Sequence, residues 1–380
     1  MNSFQPFVME RMMSKFEQNA EYNLSESGVH PMLLSELLAD DPGFINELLS
    51  TEINYPHVNG IPELRKNIAY LYSGATPANV FVTVGAIEAN YLTVRTLLSE
   101  GDEIVIMAPN YMQIWGIAKN HGLSIKTFNL CEDKGWAPDL DELEAMVTPE
   151  TKMIAVCNPN NPTGRAMTLK EMDKVVSIAE SAGAWILADE VYAGAERETD
   201  QQTPSFYGRY DKVIAIGSMS KAYGLPGLRV GWAAGPEKIL DDMWARHEYI
   251  ALSATMLSNK LTALALSPEV RPRIIARTRK YIRDGFPILK DWMDSHEGVF
   301  RITPPDAAAI AFARYDLDIN STEFATRLMK EKNVLIVPGD HFGLDNFVRI
   351  SFGLPHDYLT AALDRIHALI VEIKGKSAVA

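Results

Sequence analysis

Seven short apolar runs recur between residues 80 and 234, and more polar stretches separate them. The runs are rich in Val and Ile and most are too short for helices, so each predicts a buried β-strand. The predicted strands are VFVTV (80–84), EIVIMA (103–108), LSIKTF (123–128), KMIAVC (152–157), WILAD (185–189), KVIAI (212–216) and RVGWAA (229–234).

Helix-like stretches lie between several of these strands. EANYLTVRTLL (88–98) is one, and LKEMDKVVSIAESAG (169–183) is another, which ends in a glycine suited to a helix C-terminus. Strands that alternate with helices are typical of an α/β domain with a mostly parallel sheet. Ligands of such sheets bind at the carboxyl ends of the strands, so functional side chains are expected directly after the apolar runs.

The pattern changes in the last third of the chain. Residues 236–290 are predicted to be helical, and residues 300–375 have an α+β pattern. Its strands are predicted near AIAFAR (309–314), VLIVPG (334–339) and FVRISF (347–352), with a final amphipathic helix over 355–374. We therefore predict a large α/β domain over residues 46–285, and a small domain made of residues 1–45 and 286–380.

Charge and cysteine content narrow the classes of function. The chain has 380 residues, with 36 basic against 49 acidic side chains and a net charge of −13, which argues against nucleic acid or an anionic membrane as partner. Its two cysteines, Cys131 and Cys157, form no CxxC pair, so we predict no metal site. No signal peptide is evident, and no apolar run approaches the ~18 residues of a membrane span. We expect a cytoplasmic protein.

A lysine follows the predicted strand KVIAI, inside the segment SMSKAYGLPGLRVGW (218–232). Lys221 precedes a turn rich in Gly and Pro, and Ser218 and Arg229 flank it. Ser and Arg side chains together can bind a phosphate, while a lysine amine can form a Schiff base with a carbonyl. Taken alone, such a lysine is more often a surface residue of a polar loop.

Two polar side chains end the predicted strand WILAD. Asp189 and Tyr192 lie in WILADEVYAG (185–194). A carboxylate at the end of an apolar strand is costly to bury unless a cation or a strong donor pairs with it, and a protonated pyridine nitrogen would serve. Taken alone, an N-cap or a structural ion pair is the more common explanation.

Two further segments follow predicted strands in the same way. CNPNNPTGRAM (157–167) fixes a turn with its prolines and presents the Asn161 amide at a strand end, although an ordinary rigid loop would have the same composition. TVGAIEAN (83–90) leads from a strand through Gly85 into a helix start, and helix N-termini bind phosphate. Each segment is a weak signal when it is considered alone.

Together, in this order, the four segments resemble the class I/II aminotransferase family of fold-type I pyridoxal-phosphate (PLP) enzymes. The resemblance covers nearly the whole chain, and its most specific parts are SxSK with an arginine eight residues later and NPxNPTG before D-x-x-Y. It implies an α/β fold with a large domain, built on a mostly parallel seven-stranded sheet, and a small α+β domain. It also implies PLP as the cofactor and an amino acid as the substrate.

The family resemblance implies roles for the residues around the cofactor ring. Lys221 would bond covalently to the cofactor and later move the proton at Cα of the substrate. Asp189 would pair with the ring nitrogen, and Tyr111 would stack on the ring. Asn161 and Tyr192 would hydrogen-bond the 3′-oxygen of the cofactor.

Other matches imply contacts to the phosphate and to the substrate. Arg349 would bind the substrate carboxylate bidentately, with Asn161 nearby. Tyr55, in YPHVNGIPELR, matches a tyrosine that reaches the phosphate from the partner subunit, so a homodimer with shared active sites is implied. The phosphate itself would be held by Gly85, Ala86, Ile87, Ser218 and Arg229.

An N-terminal loop departs from the common family pattern. The segment NLSESGVHPM (23–32) resembles the corresponding loop of a cyclising family member, which acts on a hydroxylated arginine by elimination and ring closure. Gly28, Glu26 and His30 are therefore candidate substrate contacts, with Glu26 able to pair with a guanidinium. A solvated carboxylate and a structural histidine are the alternatives. Glu10 and Glu17 lie nearby in sequence, but nothing in the sequence places them in the site.

Two enzymatic hypotheses share every cofactor contact. In the favoured one, the protein is a lyase or cyclase that eliminates a β- or γ-leaving group from a guanidino amino acid such as arginine, hydroxyarginine or canavanine. In the alternative, it is an aminotransferase that moves the amino group to a 2-oxo acid. A third hypothesis, a non-catalytic regulator of this fold, is disfavoured because Lys221 is present.

Overall fold

The computed structural model of the protein describes residues 4–39 and 41–377. Its strands alternate with helices through the first two thirds of the chain, as the hydrophobic pattern predicts. The strands are β1 Tyr22–Asn23, β2 Val80–Thr83, β3 Glu103–Ala108, β4 Ser124–Cys131, β5 Ala137–Pro138, β6 Thr151–Cys157, β7 Trp185–Asp189, β8 Val213–Ser218, β9 Gly231–Ala234, β10 Phe300–Ile302, β11 Ile310–Tyr315, β12 Val334–Leu335, β13 Val337–Pro338 and β14 Phe347–Ser351.

Helices cover both faces of the large sheet and pack on the smaller one. In the part of the chain that the structure describes, none of them combines the length and the apolar character that a membrane span requires. The α-helices are α1 Val8–Phe16, α2 Leu34–Leu37, α3 Pro42–Leu49, α4 Pro62–Ala69, α5 Ala86–Leu97, α6 Gln113–Asn120, α7 Leu140–Met146, α8 Leu169–Ala182, α9 Glu237–His247, α10 Met256–Ala265, α11 Arg271–Asp294, α12 Ser321–Arg327 and α13 His356–Ser377.

The large sheet has the strand order β2-β9-β8-β7-β6-β3-β4-β5. Strands β4, β3, β6, β7 and β8 are parallel, β9 is antiparallel to both of its neighbours, β8 and β2, and β5 is antiparallel to β4 at the other edge. Strand β2 therefore runs in the same direction as the parallel strands. The seven predicted strands are all present, so the mostly parallel α/β sheet is confirmed. The sheet has eight strands rather than seven, because β5 adds two residues that are too few for a hydrophobic pattern.

Alternation along the strands produces an apolar layer on each face of this sheet. In β3, Ile104 and Ile106 pack towards α5, α6 and α9, while Val105 and Met107 pack on the other face with residues of α8. All four side chains are almost fully buried. Strands of a sheet that helices cover on both faces have nearly continuous apolar sequences, and this is why the hydrophobic pattern predicts them correctly.

The ends of α8 follow from local chemistry. Thr168 accepts a hydrogen bond from the backbone N–H of Glu171, whose carboxylate accepts one from the Thr168 backbone in return. Gly183 ends the helix with φ of +65°, a left-handed conformation that costs glycine little. The helix thereby runs from Leu169 to Ala182, within one residue of its predicted extent.

A second sheet, with the order β10-β11-β14-β13, is built from the last part of the chain. N-terminal strand β1 pairs in parallel with β12, which ties the first residues to this region. The predicted boundary between residues 285 and 286 lies inside the continuous helix α11. The division into a domain of residues 46–285 and one of residues 1–45 and 286–380 stays a prediction.

Candidate functional site

A cavity of about 350 Å³ lies where β6, β7 and β8 end, as parallel-sheet topology predicts. Side chains from these three strand ends meet there with the N-terminus of α5, the N-terminal helix α1 and strand β14. The cavity is lined by eleven of the predicted site residues, which are Glu26, Ala86, Ile87, Tyr111, Asn161, Asp189, Tyr192, Ser218, Lys221, Arg229 and Arg349.

The lysine lies directly after β8, where the strand gives way to a tight turn. Ser218 Oγ accepts a hydrogen bond from the Ser220 backbone N–H at 3.1 Å, which fixes this turn. The Lys221 side chain is about one-quarter exposed, and its Nζ lies 3.7 Å from Glu26 Oε2. The amine is therefore accessible from the cavity and held beside a carboxylate.

Asp189 ends β7 with its side chain buried beneath the cavity. Its Oδ2 accepts a hydrogen bond from Asn90 Nδ2 at 2.9 Å, and its Oδ1 accepts one from the Val191 backbone N–H at 3.3 Å. Burial raises the pKa of the Asp189 carboxyl, while these two donors and the nearby Lys221 act in the opposite direction. A buried carboxylate with donors on one side can stabilise a cationic ring nitrogen on the other.

The neighbouring Glu190 lies in a separate cavity. It is buried, its Oε1 accepts a hydrogen bond from the Phe206 backbone N–H at 2.7 Å, and Ser205 and Trp232 line the same space. Burial raises the pKa of the Glu190 carboxyl from 4.5 to about 7. The folded protein therefore holds this proton more tightly than the unfolded chain does.

Glu190 predicts a specific pH dependence of stability. Because its folded-state pKa is raised, its contribution is fully present below about pH 4.5 and is lost as the pH rises through about 7. The loss is on the order of 3 kcal/mol in the free energy of unfolding. We expect Glu190→Gln, which keeps an acceptor oxygen but does not titrate, to shrink the difference in melting temperature between about pH 5 and about pH 8. An unchanged difference would contradict this assignment.

The N-terminus of α5 and Arg229 form an anion cradle. Gly85 precedes the helix with φ of +77°, and no side chain caps the first turn. A Cβ at Gly85 would lie 2.8 Å from an Nη atom of Arg229, so glycine is required for the guanidinium to approach this closely. Backbone N–H groups of a helix start, an arginine and the nearby Ser218 hydroxyl are a donor set suited to a phosphate.

Two tyrosines lie in the wall of the cavity. The Tyr192 hydroxyl donates to Ser27 Oγ at 2.9 Å, and the Tyr111 hydroxyl donates to Glu10 Oε1 at 2.7 Å. Burial raises the pKa of both phenols above their ordinary value, and Glu10 adds to the effect at Tyr111. Both hydroxyls therefore remain protonated donors.

Arg349 on β14 is buried, and within the described residues no carboxylate forms an ion pair with it. Its Nη1 donates to Asn161 Oδ1 at 2.9 Å and its Nη2 donates to the Ser25 carbonyl at 2.5 Å, while Nε has no partner. Burial lowers the pKa of the guanidinium. A buried cation without an anionic partner is suited to bind a carboxylate that enters the cavity.

Besides Asp189, three glutamate carboxylates line the cavity, and of these three the sequence predicted only Glu26. Helix α1 brings Glu10 to the site, and Glu17, directly after the helix, lines it as well. Burial and the neighbouring Glu26 and Glu10 raise the pKa of the Glu17 carboxyl. Glu10 and Glu17 are seven residues apart and so share the helix face of the buried Met13, but no local pattern shows that this face meets the cavity.

Four predicted residues are not among those that line the cavity, and one of them, Gly85, belongs to the anion cradle described above. Gly28 packs below the lysine, since a Cβ there would lie 2.9 Å from the Ser220 carbonyl oxygen. The His30 ring lies 5.9 Å from the Tyr281 ring, and burial and the neighbouring Arg277 lower its pKa, so it packs on α11 rather than in the cavity wall. Tyr55 is 77% exposed, and its predicted role belongs to the active site of a partner subunit.

Comparison with known proteins agrees with this geometry. The sequence model of the aminotransferase class I and II family matches residues 43–366. The chain belongs to this family. Its fold is that of a PLP-dependent aminotransferase from Streptococcus suis 89-1591, with a TM-score of 0.91, 31% identity and coverage of 98% of this chain and 99% of the other.

Two other relatives are named for ring-forming or synthetic reactions. Capreomycidine synthase from Streptomyces vinaceus, the relative that the 23–32 loop resembles, is 29% identical over 91% of this chain and 89% of its own length. The PLP-dependent cyclase OrfR superposes with a TM-score of 0.87 at 26% identity, covering 98% of each chain. The predicted resemblance is therefore confirmed, together with the enzyme class.

The protein is a PLP-dependent enzyme, and the residues in the cavity fit that cofactor. The anion cradle at Gly85 and Arg229 suits its phosphate, the buried Asp189 suits its ring nitrogen, and Lys221 supplies the amine. When bound, PLP supplies a sink for the electron pair that is left at Cα of an amino acid. The chain's own residues supply orientation, charge and proton transfer.

Proposed function

We propose that the protein is a lyase or cyclase that eliminates a β- or γ-leaving group from a guanidino amino acid, such as canavanine or a hydroxyarginine whose hydroxyl group is on Cβ or Cγ. Arginine itself has no leaving group at these carbons, so it serves as a ligand that reports binding of the guanidinium. The observation that carries this proposal is the group of three carboxylates, Glu10, Glu17 and Glu26, in the wall of the cavity that also contains Lys221 and Arg349. A guanidinium has five N–H donors in a planar fork and pairs bidentately with carboxylates.

The charges in the cavity match the two ends of such a substrate. Arg349 offers its guanidinium, already oriented by Asn161, to the substrate carboxylate. Glu26 and Glu17, near Lys221, offer oxygens to a cationic side chain. A neutral side chain would leave these carboxylates without a cation from the substrate, so the site favours a cationic amino acid over a neutral one.

Lys221 is the residue that moves the proton. Its Nζ lies beside the Glu26 carboxylate, and it is the only primary amine among the residues that line the cavity in the described chain. In the proposed elimination, Lys221 takes the proton from Cα, the bond from Cβ to the leaving group breaks, and the electron pair departs with that group. For a leaving group on Cγ, a proton is also removed from Cβ before the bond from Cγ breaks. The Tyr111 and Tyr192 hydroxyls stay protonated and serve as hydrogen-bond donors.

Capreomycidine synthase and the cyclase OrfR support the lyase or cyclase proposal, and the aminotransferase from S. suis supports the alternative. An aminotransferase would use the same contacts and pass the amino group to a 2-oxo acid. The two reactions therefore differ in their need for an acceptor rather than in their cofactor site. Assembly as a homodimer with shared active sites, in the cytoplasm, stays part of the proposal.

The carboxylates can be tested by substrate discrimination. We expect Glu17→Gln and Glu26→Gln to weaken arginine binding by roughly ten- to a hundredfold each, since each removes a charged hydrogen-bond acceptor. Binding of citrulline, the neutral analogue of arginine, should change little. Binding is measured by titrating the PLP-loaded protein with each amino acid and finding the concentration at which the change in visible absorbance is half complete.

The matched control is Glu63→Gln, which alters an exposed carboxylate in α4 outside the cavity. It should leave the binding of both amino acids unchanged. If the Glu17 and Glu26 variants lost affinity equally for arginine and citrulline, these carboxylates would not distinguish a charged from a neutral side chain.

A further inference from the structure

A buried chain of amide side chains connects Asp189 to the first turn of α5. Asn90 Nδ2 donates to Asp189 Oδ2 at 2.9 Å and to Gln113 Oε1 at 3.2 Å. Gln113 Nε2 in turn donates to the Ile87 carbonyl at 2.5 Å. Asn90 and Gln113 are 1% and 6% exposed, so water does not compete strongly for these bonds.

The arrangement fixes the orientation of the Asn90 amide. Both acceptors, one on Asp189 and one on Gln113, lie against Nδ2, so they use both of its hydrogens. A rotated amide would place Oδ1 against the Asp189 carboxylate, which would be repulsive. The Oδ1 atom has no hydrogen-bond partner among the described residues, so the bonds made by Nδ2 alone hold this orientation.

We propose that Asn90, held by Gln113, is a positioning residue that keeps Asp189 ionised and fixes the direction of its carboxylate, and thereby sets how strongly the ring nitrogen of bound PLP is protonated. The inference rests on the proposed role of Asp189 at the ring nitrogen. A charged hydrogen bond to a buried carboxylate is among the strongest that a side chain can make.

Other groups around Asp189 do not replace this bond. The Val191 backbone N–H binds the other oxygen, at 3.3 Å, and Lys221 acts on the carboxylate through its charge. The other titratable groups that act on Asp189, or on which it acts, are Cys157, Glu190, Tyr111 and Tyr192. None of these four groups is positively charged in either protonation state. Among the described residues, Asn90 is the one side chain that donates a hydrogen bond to Asp189.

The test uses the PLP-loaded protein and a spectroscopic readout. We expect Asn90→Leu to raise the pH midpoint of the visible absorbance change by roughly one pH unit, because less positive charge at the ring nitrogen eases protonation of the lysine-linked nitrogen. Turnover should fall by roughly ten- to a hundredfold. Gln113→Leu, which only loosens Asn90, should shift the midpoint in the same direction by less.

Two further variants separate the possible failures. Thr93→Val changes a buried polar residue of the same helix that donates to the Ala89 carbonyl, and it should leave the midpoint unchanged. Asp189→Asn should shift the midpoint at least as far as Asn90→Leu. If Asp189→Asn shifts it and both amide variants do not, the positioning role is refuted. If Asp189→Asn itself has no effect, the proposed role of Asp189 fails as well.

Discussion

Lys221→Ala is expected to lose turnover by roughly 10⁴-fold or more, because the variant lacks the amine that takes the proton from Cα. Within the described cavity wall, no other lysine can substitute for it, since the remaining cations are the guanidinium groups of Arg229 and Arg349. Cofactor binding should persist, since the cradle at Gly85 and Arg229 is unchanged. The measurement is product formation at saturating PLP, with bound cofactor quantified separately.

Lys238→Ala is the matched control. This lysine has an 84% exposed side chain and pairs with Asp242 on the surface of α9, so its loss should leave turnover intact. Turnover of the Lys221 variant within about tenfold of the unaltered protein would refute the assignment of Lys221 as the proton-transfer group.

Asp189→Asn should reduce turnover by roughly 10²- to 10³-fold, the second largest effect that we expect. The side chain keeps its shape but loses its negative charge, so it can no longer stabilise a proton on the ring nitrogen. Because Asp189 is buried, water cannot replace the missing charge. Single-turnover rates measured with the loaded variant would separate this effect from weaker cofactor binding.

Asp173→Asn provides the corresponding control, because Asp173 forms an ion pair with Arg209 on the protein surface. Such pairs contribute little, so the control should behave like the unaltered protein. If the Asp189→Asn variant kept its single-turnover rate, the Asp189 carboxylate would have no role in the reaction of the bound amino acid.

Much of the fold was predictable because buried parallel strands form continuous apolar runs. EIVIMA and WILAD are strands β3 and β7 with the predicted bounds. The helix after Gly85 begins at Ala86, two residues earlier than its predicted start at 88. Two-residue strands such as β5 and β1 were not predicted, since their pairing depends on distant partners rather than on a local pattern.

The site was predictable where motifs follow strands, and less so where segments far apart in sequence meet. Lys221, Asp189 and Asn161 all line one cavity because their strands end at the same edge of the sheet. Glu10 reaches Tyr111 across 101 residues and Asn90 reaches Asp189 across 99, and no local pattern encodes such contacts.

The N-terminal loop shows the same limit. Glu26 and His30 lie four residues apart in one polar segment, and both were candidate substrate contacts. The structure places Glu26 in the cavity wall, whereas the His30 ring packs beside Tyr281 and the guanidinium of Arg277. Side-chain direction in an irregular loop depends on tertiary packing, which the sequence of the loop does not reveal.

The most direct test of the proposed reaction is product analysis with the purified, PLP-loaded protein. Arginine, hydroxyarginine and canavanine would each be supplied with and without a 2-oxo acid, and the products identified by mass spectrometry. We predict many turnovers of at least one of them without the 2-oxo acid, with loss of a leaving group or closure of a ring. Turnover that occurs only when a 2-oxo acid is present would contradict elimination and identify the protein as an aminotransferase.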